Sequence, residues 1–149
     1  MHERYISVGQ YTPEYSAFEN ENDIYLSFRI ARESCAVPAA RVLAIVEDAS
    51  DFRNKSEILH ENRRIPLISL GDKMNINGHC KNERPSIIII DTGGQEVGIM
   101  TDSAPDVMLI PRNEIDARID ESRCCISGIG KSGGSIRLII DCDRLGELL

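Results

Sequence analysis

An all-β fold, a barrel or sandwich with a few short helices, is what the sequence predicts, and three observations predict it. Ile24-Tyr-Leu-Ser-Phe-Arg-Ile30 alternates, with Ile24, Leu26, Phe28 and Ile30 on one side, as a half-buried strand requires. The apolar runs Ile87–Ile90 and Val97–Met100 flank Gly93-Gly94, which reads as a hairpin whose turn uses the positive φ open to glycine. Around them stand, in all, about nine short β-type runs separated by turn residues, the spacing of barrels and sandwiches rather than of helical folds.

In chain order, residues 1–22 are polar, carry Tyr5, Tyr11, Tyr15 and Phe18 without a repeat, and read as a loosely ordered N-terminal arm. Regular structure is expected from Asp23, so that residues 23–149 form the domain. After Ile24–Ile30, Arg32-Glu33 turns the chain into Ser34–Val37, which Pro38 ends. A helical turn through Ala39-Ala40-Arg41 leads to the strand Val42–Val46. Asp48–Asn62 is charged and irregular, a loop with one helical turn. Ile65–Leu70 is a strand whose Pro66 implies an edge or bulge, and Gly71–Pro85 is an exposed loop. The unbroken Ile87–Ile90 run is that of a strand covered on both faces. Val107–Ile110 is a further strand, and Asn113–Arg123 reads as a short helix from the spacing of Ile115 and Ile119. Ile126–Gly130 and Ser135–Asp141 flank a Gly133-Gly134 turn, and Arg144–Leu149 closes the chain as a short helix. A weak internal echo runs through this order. A hairpin and a lone strand at 24–46 recur at 87–110, and Ile65–Leu70 recurs as Leu138–Leu145, with Ser69 and Asp141 at matching places. Two similar small barrels made by duplication would give that pattern.

The chain has 149 residues, 24 acidic against 17 basic side chains and a formal net charge of −7, which argues against a broad phosphate-binding face and so against nucleic acid as partner. Its longest apolar runs fall short of the roughly 18–20 residues of a membrane span, so no direct membrane insertion is expected. The first residues lack the apolar core of a signal peptide. The five cysteines, Cys35, Cys80, Cys124, Cys125 and Cys142, are odd in number and form no C-x-x-C pair, which fits reduced thiols and a cytoplasmic location.

Several stretches imitate chemical motifs. Asp91-Thr-Gly-Gly-Gln-Glu96, Gly130-Lys-Ser132 and Asn54-Lys-Ser-Glu57 resemble pieces of a GTPase, but a phosphate loop needs a glycine where Cys125 stands, and must precede the switch segment rather than follow it. Asp91-Thr92-Gly93 spells the aspartic-protease triplet, which works only as a pair of carboxylates sharing a proton. It occurs once. His2, His60 and His79 are dispersed, and His79-Cys80 has no second ligand pair at metal-site spacing. No catalytic residue, cofactor or metal is therefore expected. Cys124-Cys125 next to Arg123 leaves open an alternative, a divergent β-barrel that binds a small molecule or senses redox state through its cysteines.

Taken together, the runs over residues 23–149 resemble the CheW-like chemotaxis coupling proteins. Gly98-Ile-Met-Thr-Asp-Ser-Ala-Pro-Asp-Val107 is similar to the family's glycine and apolar pair followed by "VD-x-V-x-x-V", and keeps Gly98, Asp102 and Val107. Ile126-Ser-Gly-Ile-Gly130, with Gly128, resembles its "I-x-G-V-A" step. Ile136–Leu145 resembles its closing "L-LD-L-x-x-L", keeping Asp141 and Leu145. In the first half, Tyr25–Ile30 resembles the opening strand, and Ile65-Pro-Leu-Ile-Ser-Leu70 resembles "(I/V)-P-V-(I/V)-D-L" with Ser69 for the aspartate. The resemblance implies two intertwined five-stranded SH3-like β-barrel subdomains. It implies an adaptor without catalytic activity, one that bridges the cytoplasmic tip of a chemoreceptor to the regulatory domain of a CheA-type histidine kinase in a receptor array.

The resemblance also points to interaction residues. On the strand matching "V-x-E-(I/V)" these are Val42, Ala44 and Ile45, where Ala44 stands for the glutamate. In the run matching "G-V-I-N-L-R-G" they are Ile58 and Glu61, where Glu61 stands for a cation, followed by Arg63 and Arg64. Charge reversal at an interface disfavours one partner and favours another. The expectation is a variant pathway, such as pilus-driven motility.

Overall fold

The computed structural model describes residues 4–7, 23–74, 76, 84–117, 125–132 and 134–148. His2, His79, Cys80, Cys124, Tyr11, Tyr15, Phe18, Ile119 and Gly133 lie outside them. The strands are β1 (Arg4–Ser7), β2 (Ile24–Ile30), β3 (Glu33–Pro38), β4 (Val42–Glu47), β5 (Glu57–His60), β6 (Arg63–Ile68), β7 (Ser86–Asp91), β8 (Glu96–Thr101), β9 (Asp106–Leu109), β10 (Ile115–Asp116), β11 (Ile126–Ser132) and β12 (Ser135–Ile140). One-turn helices α1 (Leu70–Lys73) and α2 (Cys142–Leu145) follow β6 and β12. The strands make two six-stranded sheets, ordered β1-β4-β7-β8-β6-β5 and β10-β11-β12-β3-β2-β9. Each is a five-stranded set of the expected kind with one short strand added, β1 in the first and β10 in the second.

The duplication is visible in the pairing. In the first sheet the β7–β8 hairpin lies between β4, antiparallel to β7, and β6, parallel to β8 through Leu67↔Gly98 and Ile68↔Ile99. In the second the β2–β3 hairpin lies between β9, antiparallel to β2, and β12, parallel to β3 through Leu138↔Cys35 and Ile139↔Ala36. Each half of the chain thus lends its leading hairpin to the strands of the other half, which is how the two sheets intertwine. The residues at the matching places, Ser69 and Asp141, are the N-caps of α1 and α2. Ser69 Oγ accepts from Asp72 N at 3.5 Å, and Asp141 Oδ1 accepts from Asp143 N at 3.2 Å and Arg144 N at 3.4 Å.

The largest core cluster joins both sheets, with Leu26, Phe28 and Val37 from one packed with Val42, Ile45, Ile88, Ile90 and Ile99 from the other. Ile87 and Ile89 face the opposite way, into a second cluster with Ala44, Val46, Ile58 and Ile65. All four isoleucines of β7 are 0 % exposed, as a strand covered on both faces demands, and each contributes about 1.5–3 kcal/mol by burial. Among the residues that match the family pattern, Gly98 sits where a Cβ would come within 2.6 Å of Leu67 Cδ2, and Gly128 where it would come within 2.8 Å of the Asp116 carbonyl oxygen. Val107 packs against the main core opposite Leu26, and Leu145 is fully buried.

Four elements differ from the sequence expectation. Regular structure begins at Arg4, because β1 pairs antiparallel with β4 from Arg4↔Glu47 to Ser7↔Ala44. The second part of the expected Asp48–Asn62 loop is strand β5, hydrogen-bonded to β6. Pro66 lies in an inner strand rather than at an edge. Leu67 N donates to Ser56 O at 2.9 Å, so the proline nitrogen turns the other way, ahead of the point where pairing to β8 begins. Ile115-Asp116 is a strand rather than the start of a helix, paired with Gly130 and Ile129.

Candidate protein-interaction surface

The hairpin β5–β6 turns through Glu61 and Asn62, both left-handed at φ 50° and 63°. Positive φ at both central residues is the type I′ pattern, normally filled by Asn-Gly, and a glutamate there carries backbone strain. Glu57 and Leu59 point outward, Ile58 and His60 inward, the alternation of a strand with one covered face. Leu59 is 55 % exposed and stands opposite Arg64. Leu43 is 40 % exposed, because the register slips between Val42 and Ala44 and turns this residue out of an otherwise buried strand. Leu43, Arg63, Arg64 and the β7–β8 tip from Gly93 to Glu96 line one shallow groove. Within it Arg63 bridges two carboxylates, Glu96 at 2.9 Å and Glu61 at 3.6 Å, while Arg64 approaches Glu57 at 4.0 Å.

The interaction residues expected from the sequence divide in two here. Glu61, Arg63 and Arg64 are exposed on this hairpin. Val42, Ala44, Ile45 and Ile58 are buried at 2–6 % exposure, Val42 and Ile45 in the inter-sheet core and Ala44 and Ile58 in the second cluster. Their side chains hold the surface in place, and their neighbours Leu43 and Leu59 are what it presents. A recognised β5 would have revealed Leu59 by alternation. Leu43 had no such signal, since Val42–Val46 is apolar throughout and only the register slip decides which residue turns outward. Glu96, which ends the run that imitates a GTPase segment, is a charged partner of Arg63.

The motifs that imitate catalytic ones are structural. Asp91 Oδ1 accepts from Gly93 N at 2.8 Å, and Thr92 N donates to Gln95 O at 2.9 Å, closing the hairpin. Gly93 alone of the glycine pair has positive φ, at 98°, the pattern of a type II′ turn. Gly130, Lys131 and Ser132 belong to strand β11 rather than to a phosphate loop. Asp102 is 6 % exposed and accepts a 2.6 Å hydrogen bond from Ala31 N. Among the described residues no group of three His, Cys, Asp or Glu is placed to hold a metal ion, and no helix is long and apolar enough to cross a membrane. Cys35, Cys125 and Cys142 are buried. Burial pushes the Cys142 thiol up to about 12, so at neutral pH it is a protonated core side chain and not a reactive thiolate.

These features define an all-β protein of two intertwined SH3-like sheets that lends an exposed hairpin to solvent. The chain belongs to the CheW-like domain family, whose model matches residues 25–148. The crystal structure of the scaffolding protein TtCheW from Thermoanaerobacter tengcongensis matches with a TM-score of 0.68 and 23 % identity over 80 % of this chain and 88 % of that one, a likeness of fold. Comparison with curated proteins gives no match.

Proposed function

We propose that the protein is a non-catalytic adaptor, coupling the cytoplasmic tip of a chemoreceptor to the regulatory domain of a CheA-type histidine kinase at a cytoplasmic receptor array. Membership of the CheW-like family over residues 25–148 carries the reading. Leu59 on the β5–β6 hairpin and Leu43 on β4 support it: two exposed leucines beside alternating charges suit the apolar stripe and polar rim of a docked helix or domain. Glu61, in place of a cation, selects a partner with complementary charge, which is the basis for assigning a variant pathway such as pilus-driven motility. Size-exclusion or pull-down experiments with the kinase and receptor fragments of the same organism test this. The expected result is a complex with at least one of them that Leu59→Asp weakens about tenfold or more. Failure to bind either at concentrations on the order of tens of micromolar would overturn the adaptor reading.

A further inference from the structure

A cleft of about 450 Å3 opens on the second sheet, away from the β5–β6 hairpin, and Ser27, Arg29, Ser34, Ser103, Asp106 and Arg137 line it. The sheet register brings them together. Ser27 and Arg29 stand two apart on β2 and so share a face, Ser34 pairs with Arg29, and Asp106 pairs with Ser27. Arg137 immediately precedes the Leu138↔Cys35 pair, which sets it beside Ser34.

The hydrogen bonds fix the direction of the hydroxyls. Ser27 Oγ accepts from Arg137 Nε at 3.1 Å, and Ser103 Oγ accepts from Arg29 N at 2.9 Å. A serine oxygen that already accepts retains its own proton to donate, and an arginine using Nε still carries the Nη fork. The cleft therefore assembles donors on three strands and the Ser103 loop, and among the described residues lining it are two guanidiniums and one carboxylate, in a chain whose formal net charge is −7. We infer that this cleft binds a tetrahedral oxyanion, the terminal phosphate of a soluble small molecule. Arg137, Ser27 and Ser103 hydrogen-bond its oxygens, Arg29 adds charge, and Asp106 weakens the site. Donors converging from several sides match a group with three terminal oxygens better than a flat carboxylate, for which one guanidinium fork suffices.

Inorganic phosphate titrated into the full chain, followed by amide NMR shifts, tests the site. The expected result is saturable movement of the Ser27, Arg29 and Ser103 signals with a Kd on the order of 1 mM or tighter. Arg137→Gln weakens binding about tenfold, and Asp106→Asn tightens it, an effect that a purely structural role of these residues would not produce. Circular dichroism of both variants confirms that the fold is kept, and if Arg137→Gln unfolds, Asp106→Asn decides alone. Shifts that do not saturate, no tightening in Asp106→Asn, or acetate binding as strongly as phosphate would each overturn the assignment.

Discussion

The two hairpins that change places between the halves are anchored at their tips by opposite means. The β2–β3 tip is held from inside. Ala31, left-handed at φ 53° and 5 % exposed, donates to Asp102 Oδ2 at 2.6 Å, while Asp102 N returns a bond to Arg29 O at 2.8 Å. The β7–β8 tip is held from outside. Arg41 Nε donates to Asp91 O at 2.9 Å, its Nη2 meets Asp143 at 2.6 Å, and Gln95 reaches Gly146 O at 3.3 Å. One anchor concentrates on a single buried carboxylate; the other spreads over exposed groups that water and salt can replace. Duplicated topology has not meant duplicated energetics.

The largest test of that contrast is Asp102→Ala. It removes the charge-assisted bond from the buried Ala31 N and the 3.6 Å ion pair with Arg53, a loss of about 2–3 kcal/mol in urea unfolding. Asp91→Ala, which removes the exposed bond to Gly93 and a carboxylate near Arg41, is expected to lose about 0.5 kcal/mol. Equal urea midpoints for the two variants would break the comparison.

A second pair of substitutions contrasts the place where the halves interlock with the exposed tip of the same hairpin. At Gly98 a Cβ would stand 2.6 Å from Leu67 Cδ2 and 3.1 Å from Ile87 Cγ2, so Gly98→Ala overpacks the parallel β6–β8 junction and loses about 1–3 kcal/mol. At Gly94 nothing lies within 4 Å and φ is not positive, so Gly94→Ala stays within about 0.5 kcal/mol of the parent in thermal unfolding.

These contrasts explain how far the sequence could be read. Strands with one clean face, such as Ile24–Ile30, and the hairpin around Gly93-Gly94 were legible because local side-chain order carries the signal. Glu57–His60 was not, since a buried His60 and flanking charges hide its alternation. Nor was β1, since residues 1–22 carry no apolar repeat that would mark a strand. The echo of the two halves was visible, but the exchange of hairpins rests on parallel pairs distant in sequence, Leu67 with Gly98 and Leu138 with Cys35. At the candidate interaction surface, the family pattern pointed to the β5–β6 hairpin, while the facing of single residues depended on a one-residue register slip at Leu43.

The helix caps sharpen the comparison at a smaller scale. Asp141 accepts from two backbone donors, Ser69 from one at 3.5 Å. Asp141→Ala should lose about 1 kcal/mol and Ser69→Ala about half of that, both read from urea midpoints. A larger loss at Ser69 would mean that α1 matters more to the fold than its matching helix α2.

A small effect also belongs to Arg41→Ala, and salt is what identifies it. Arg41 ties together the start of β4, the β7–β8 tip and α2, yet Asp143 is 74 % exposed. The hydrogen bond that Arg41 donates to Asp143 raises the Arg41 pKa, so the guanidinium stays charged throughout the accessible pH range. Exposed ion pairs are worth roughly 0.2–1 kcal/mol, and their Coulomb part is screened once the Debye length falls to about 3 Å near 1 M salt. Stability of Arg41→Ala should therefore fall below that of the parent by about 0.5–1 kcal/mol at low ionic strength, with the gap narrowing as salt is added. The Asp102→Ala deficit, set mainly by the buried bond from Ala31 N, should narrow less over the same series, its salt-sensitive part being the 3.6 Å pair with Arg53. If both gaps closed together, the inner anchor would be as solvent-accessible as the outer one, and the two hairpins would be held alike after all.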